Sequence, residues 1–155
     1  MARTEYYGDP DAPTPNTLIP ACNMLVVNDG GELLLQRRRD TGQWALPGGV
    51  QDIGETPSTC AVRECYEETG ITAEVTDLLG IYSDPGHVIR YSDGEIRQEF
   101  EITLIGRPID GEPTINDEAS DVGWFAFDRL TSLDIHPSMM RQIDDYRSGV
   151  RSHVD

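Results

Sequence analysis

Three glutamates stand close together in the run Arg63-Glu64-Cys65-Tyr66-Glu67-Glu68. In a helix, at about 100° per residue, Glu67 falls about 60° to one side of Glu64 and Glu68 about 40° to the other, so the three carboxylates share a face. Val62, Cys65, Tyr66 and Thr69 then take the opposite side, which suits packing. Arg63 lies four residues before Glu67 and can pair with it. One guanidinium does not balance three carboxylates within little more than a turn. Either water relieves the repulsion, as on any solvated acidic face, or a hard divalent cation does. Mg²⁺ and Mn²⁺ are the cations whose preference for carboxylate oxygens fits such a cluster.

The elements that must position these groups are legible. Thr56 suits a helix N-cap, Pro57 the first helical position and Gly70 the residue just past the end. Before the helix comes a loop centred on Leu46-Pro47-Gly48-Gly49. Before that, apolar runs at 21–27 and 32–36 flank Asn28-Asp29-Gly30-Gly31, a hairpin pattern. After the helix, 74–82 reads as one or two strands, and 98–107 alternates with Phe100, Ile102 and Leu104 on one face. An aromatic strand follows at 122–127. A second helix is predicted over 137–147, with Met139, Met140, Ile143 and Tyr146 at spacings of three to four. Strands interrupted by one helix and closed by another make a mixed α/β or α+β layered domain.

The chain around the glutamates reads Gly49-x5-Glu55-x7-Arg63-Glu64-Cys65-x-Glu67-Glu68-x-Gly70-Ile71. It resembles the signature of the Nudix hydrolases, G-x5-E-x7-R-E-U-x-E-E-x-G-U, where U is a bulky apolar residue. All seven fixed positions match, which by chance is expected on the order of 10⁻⁶ times over the chain. Cys65 departs from the usual leucine, valine or isoleucine, but a thiol also buries well. The stretch from Leu33 through Arg38, then Trp44-Ala45-Leu46-Pro47-Gly48-Gly49, is similar to the strand and loop that precede the signature, and 122–127 to the family's late Trp-Phe strand.

The resemblance implies an α/β/α sandwich with a mixed β-sheet over residues 20–148. It implies metal-dependent hydrolysis of a nucleoside diphosphate linked to another group. Glu64 and Glu68 would be the main metal ligands, with Glu67 a third ligand or the base and the Gly48 carbonyl a further ligand. Arg63 would orient the glutamates, Glu55 would hold the loop, and Gly49 and Gly70 would bound the motif. Glu67, Glu118 and Asp121 all stay open as the base. Pro85, fifteen residues beyond Gly70, lies near the position where members hydrolysing ADP-ribose often carry a proline. ADP-ribose or a nucleotide sugar is therefore the expected substrate. The alternatives are a nucleoside triphosphate, cleaved in a house-cleaning reaction, and a Nudix-fold regulator that binds a nucleotide without hydrolysis.

The composition agrees. Among 155 residues, 28 are acidic and 12 basic, all arginine, giving a net charge of −16. Such a field repels polyanions, so nucleic acid is not an expected partner, and an anionic substrate must be met by local arginines or bound cations. Arg37 and Arg39, in the one basic cluster, are therefore candidates for substrate phosphate, against a solvated turn. Trp44 is read as loop packing or a base-stacking surface, and His87 as the histidine nearest a plausible substrate loop. Cys22, Cys60 and Cys65 form no C-x-x-C pair and read as buried thiols in a cytoplasmic protein. No run is apolar enough for a membrane span, and no signal peptide is expected. Residues 1–19 read as an extended arm, either a partly ordered tail or else an edge strand or the arm of a homodimer, and 149–155 as a tail.

Overall fold

The protein is described by a computed structural model over residues 2–155. Its centre is the pair β2 (Thr17–Val26) and β8 (Ile96–Gly111), parallel from Thr17↔Arg97 to Val26↔Gly106. On the far side of β8 lie β7 (His87–Tyr91) and β1 (Arg3–Tyr7), both antiparallel to their neighbours. On the far side of β2 lies β5 (Gly48–Val50). β6 (Ile71–Tyr82) runs antiparallel along β8, and β10 (His153–Val154) adds a short parallel edge to β6. A second sheet joins β4 (Trp44–Ala45), β3 (Glu32–Arg38) and β9 (Ala119–Ala126). The helices are α1 (Pro57–Thr69) and α2 (Pro137–Arg147), with a 3₁₀ turn over Phe127–Ser132.

The unbroken run Met24-Leu25-Val26 is buried throughout, as expected of a strand covered on both faces. Met24 and Val26 pack with Cys60, Ala61 and Cys65 of α1, whereas Leu25 packs with Leu79, Ile105 and Ile143 of α2. β3 divides the same way, Leu34 on the α1 side and Leu33 and Leu35 on the α2 side. Two cores on opposite faces of the strands make the α/β/α arrangement with a mixed sheet.

Two expectations are corrected. Residues 21–27 and 32–36 do not form a ladder: apart from a single bridge, Val27↔Leu33, they diverge into different sheets. The turn between them is real, with Asn28 Oδ1 accepting from the Glu32 amide at 2.9 Å. Each strand, however, spends its backbone groups on other partners, β2 on β8 and β5, β3 on β4 and β9. At the N-terminal end β1 is the edge strand that is one reading of the arm, paired with β7 over Arg3↔Tyr91 to Tyr7↔His87. The second correction concerns the C-terminal end. Part of the expected tail is strand β10, held by the Asp155 carboxylate on Arg141 at 2.6 Å.

Candidate active site

Helix α1 begins and ends where its sequence dictates. Thr56 Oγ1 accepts from the Thr59 amide at 3.1 Å, Pro57 occupies the first turn, and Gly70 closes the helix at φ 78°. Ahead of it, β5 pairs edgewise with β2, Asn23↔Gly48 and Cys22↔Gly49. Glycine is required at both positions for packing. A Cβ at Gly48 would sit 2.5 Å from Asn23 Cβ and from the Cys22 carbonyl, and one at Gly49 would sit 2.6 Å from Glu64 Oε1. The missing side chain at Gly48 thus admits strand β2, and its amide donates to Glu68 Oε2 at 2.8 Å.

The glutamates are not equally exposed. Glu67 is half exposed, Glu64 is 13% exposed at its side chain, and Glu68 is buried at 3%. The open acidic face expected for all three holds only for Glu67. Glu68 turns inward, where the Gly48 amide and, at 3.4 Å, Gln36 Nε2 reach its carboxylate. Burial pushes its pKa up to about 8, against the partial relief of the Gly48 amide. Burial also raises the pKa of Glu64, although Arg63 opposes it.

Arg63 gathers the remainder. Its Nε and Nη2 grip the Glu55 carboxylate at 2.5 and 2.9 Å, and its Nη1 reaches Glu64 at 2.7 Å and Glu67 at 3.1 Å. The grip of Arg63 holds the Glu55 pKa at about 2, and Glu55 in turn accepts from the Asp52 amide. Glu55 is thereby committed to holding the loop. Cys60 and Cys65 are protonated packing groups, burial having pushed both thiols to about 12.

Glu64, Glu67 and Glu68 line one end of a cleft of about 360 Å³, together with Gly48, Gly49 and Glu118. The floor is one face of the large sheet: Ala21 and Asn23 of β2, Arg97, Glu99 and Glu101 of β8, His87, Ile89 and Tyr91 of β7, and Arg3 and Glu5 of β1. Trp44, Arg38, His136 and Met139 close the other side. Trp44 lines the cleft and packs edge-on against Phe125 at 4.8 Å.

Of the other residues singled out in the sequence, His87 and Glu118 lie at the cleft, whereas Arg37, Arg39 and Asp121 do not. Arg37 and Arg39 are exposed and donate to the carbonyls of Gly42 and Asn116. Asp121 is exposed opposite Arg37 on β9. The arginine of the cluster that does line the cleft is Arg38, whose alternation with Arg37 puts it on the side of Gln36. Arg38 is held there by Asp40 at 2.8 and 2.9 Å.

His87 is tied at 2.6 Å to Glu5, which also lies 3.3 Å from His136. These three have ligand atoms close enough for a metal ion. The Ser138 amide, however, donates to His136 Nδ1 as the cap of α2. The His136 proton therefore sits on Nε2 and points to Glu5, so the cluster is a hydrogen-bonded lock between β1, β7 and α2. Arg3, Arg38, Glu5, Glu99, Glu101 and His136 were not singled out from the sequence. Of these, only Arg38, through its alternation with Gln36, and the alternating Glu99 and Glu101, opposite Phe100 and Ile102, left a readable trace.

A carboxylate cluster on a loop-helix-loop thus stands at one end of a cleft floored by a mixed sheet. The model of the NUDIX domain matches residues 17–146. A MutT-like protein of Streptomyces ambofaciens is 34% identical over 134 residues, covering 83% of this chain and 79% of its own. The ADP-ribose pyrophosphatase of Methanocaldococcus jannaschii is 32% identical over 137 residues, covering 83% of this chain and 75% of its own. A NUDIX hydrolase from Nitrosomonas europaea superposes with a TM-score of 0.71 at 23% identity, over 88% of this chain and 93% of that one. The chain belongs to the NUDIX domain family, whose members generally use divalent metal ions and act on nucleotide-type small molecules. Among the described residues no helix is long and apolar enough to cross a membrane.

Proposed function

We propose that the protein cleaves the diphosphate of a nucleoside diphosphate linked to a second group, ADP-ribose or a nucleotide sugar, with Mg²⁺ or Mn²⁺. The observation that carries this reading is the convergence of Glu64, Glu67, Glu68 and Glu118 on one end of the cleft, with Glu68 buried there at a pKa of about 8. A buried carboxyl in such company is costly unless a cation compensates it. The donor set, all oxygen and mostly carboxylate, fits a hard divalent ion. Glu64 and Glu68 would hold that ion, with Glu67 and the Gly48 carbonyl completing the set. When bound, the ion neutralises the diphosphate and makes a nearby water more acidic.

The chain's own residues do the rest. Arg63 fixes the rotamers of Glu64 and Glu67 through Nη1, while its other two nitrogens anchor it on Glu55. Arg38 and Arg3 reach the cleft from β3 and β1, where a guanidinium neutralises a phosphate that the carboxylate end repels. Glu67, the most exposed of the helical carboxylates, takes the proton of the attacking water where it is not itself a ligand, with Glu118 at the same end of the cleft as the competing base. Trp44 offers an aromatic edge at the cleft to a base or sugar. The similarity to an ADP-ribose pyrophosphatase supports that substrate, and the three buried free cysteines support a reducing, cytoplasmic setting.

The test is a panel of ADP-ribose, UDP-glucose, dGTP and diadenosine polyphosphate, each with Mg²⁺ and Mn²⁺, with mononucleotide and phosphate quantified. Metal-dependent release of a mononucleotide from ADP-ribose or UDP-glucose is expected, and chelator should abolish it. Turnover of dGTP alone would move the assignment to a triphosphate pyrophosphohydrolase. Binding without product would make the protein a nucleotide-binding regulator.

Metal binding also has a thermal signature. Between its ordinary pKa of 4.5 and its folded value of about 8, Glu68 keeps a proton in the folded chain that it loses on unfolding. Folding therefore takes up a proton, and stability must fall as pH rises through that window. Glu101, pushed to about 7 by desolvation and by its neighbour Glu99, acts in the same direction. In chelator the melting temperature should fall from pH 5 to pH 8, and saturating Mg²⁺ should raise it most at the alkaline end. A metal-independent melting curve at pH 8 would contradict the site.

A further inference from the structure

On the floor of the cleft one carboxyl has no hydrogen-bond donor of its own. Glu99 projects from β8 on the face it shares with Glu101 and with Asn23 of β2. It is 9% exposed, yet no hydrogen bond to its carboxyl is present among the described residues, and burial, with Glu5 and Glu101 nearby, raises its pKa against the opposing charges of His87, Arg97 and Arg3. Arg3 has a 3.5 Å ion pair with Glu5, its buried Nε being without a hydrogen-bond partner among the described residues, and the other two cations are engaged elsewhere. His87 donates to Glu5, Arg97 Nε is on Glu95 at 2.8 Å, and the Arg97 guanidinium lies 4.9 Å over the Tyr91 ring. Glu101, by contrast, is satisfied by Gln142 Nε2 at 2.5 Å. Asn23 spends its amide nitrogen on Gln142 Oε1 at 3.0 Å and leaves its own Oδ1 buried and unpartnered among the described residues.

A buried carboxyl lacking donors on the floor of a cleft is expensive for folding alone. Its cost is offset when a ligand brings the donors. We propose that Glu99 reads the non-phosphate half of the substrate: it accepts hydrogen bonds from neutral donors, sugar hydroxyls or a base amino group, and repels an anionic group at that position. This deepens the diphosphate-hydrolase reading and rests on it. The cleft is thus divided, with phosphates toward α1 and the arginines, and a neutral, donor-bearing moiety on β8. A substrate carrying phosphate at both ends does not suit it, because Glu5, Glu99 and Glu101 would all face the second phosphate.

The experiment is Glu99→Gln, assayed on whichever member of the panel the wild type turns over fastest. Glutamine keeps the shape but loses the charge and half the acceptor capacity. KM should rise about tenfold or more, the usual consequence of losing a hydrogen bond to a charged group, while kcat changes by less than about threefold. The melting temperature should rise, because an unpaired buried charge has been removed. A structural residue would instead lose stability and lower kcat with it. Two derivatives locate the moiety: ADP-ribose 1″-phosphate and ADP-ribose 2′-phosphate place the extra charge on the terminal ribose or on the nucleoside half. Glu99→Gln should improve KM for the one whose phosphate meets β8 and leave the other unchanged. If the wild type turns over a panel member and Glu99→Gln leaves its KM unaltered, or lowers kcat and melting temperature together, the assignment of Glu99 is wrong and the hydrolase reading stands. If the wild type turns over none of the panel, both fall.

Discussion

Replacing Glu64 or Glu68 with glutamine should lower turnover at least about a hundredfold, the low end for losing a charge-stabilising group at a reacting centre. The two variants should differ in stability, and the difference is diagnostic. Glu64 is held by Arg63 Nη1 at 2.7 Å, so its neutral replacement weakens a charged hydrogen bond and the melting temperature should fall slightly. Glu68 is 3% exposed and has only the Gly48 amide and a long contact from Gln36. Glutamine needs no proton taken up on folding and buries no charge beside Glu64, so metal-free Glu68→Gln should melt higher than the wild type near neutral pH. The wild type should regain that difference on adding Mg²⁺, and the variant should not. Steady-state rates over a metal titration, with circular dichroism melting curves, measure both. Full activity in either variant would remove these carboxylates from the chemistry.

The second large effect is expected at Arg63. Its guanidinium divides its nitrogens between the loop carboxylate Glu55 and the helical carboxylates Glu64 and Glu67. Lysine retains the charge but offers one ammonium in place of a planar fork, and it cannot grip Glu55 with two parallel bonds while holding Glu64. Arg63→Lys should therefore cost about ten- to a hundredfold in kcat despite unchanged net charge. Arg63→Ala should cost more and also lower the melting temperature, since it leaves Glu55, Glu64 and Glu67 without their cation. If Arg63→Lys retained wild-type kcat, the residue would act through charge alone, and its fork geometry would be irrelevant.

What the sequence revealed and what it concealed have physical causes. The ends of α1 were legible because capping is local: Thr56, Pro57 and Gly70 each act on backbone groups within one turn. The shared placement of Glu64, Glu67 and Glu68 was legible because helical period is fixed, but the burial of Glu68 was not, since it depends on β5 and Gln36 arriving from elsewhere in the chain. Strand partners were poorly legible. Pairing is made by peptide groups that every residue carries, so nothing in Arg3–Tyr7 announces β7, and nothing in the turn at Asn28 announces that its flanking strands separate. Glu99 and Glu101 lay in plain sight opposite Phe100 and Ile102. A polar strand face ordinarily means solvent, and only the cover provided by Arg38, α2 and the Trp44 loop turns that face into a cleft floor.

The parallel ladder at the centre of the sheet also bears on how this site comes into being. Thr17 must wait for Arg97, and Val26 for Gly106, before β2 and β8 can zip together. A ribosome will have released the whole of α1, with every one of its glutamates, well before the strand that completes the platform beneath it. In that interval the acidic helix has no sheet to rest on, and the apolar run Met24-Leu25-Val26 is uncovered on both sides. Closing so long a loop costs chain entropy before any contact repays it, so refolding from denaturant should be slow for a chain of this size, in the millisecond-to-second range or beyond. The nascent chain is accordingly a natural client for a holding chaperone until β8 emerges, and stopped-flow refolding monitored at Trp44 and Trp124, both packed in the cores, would time that step.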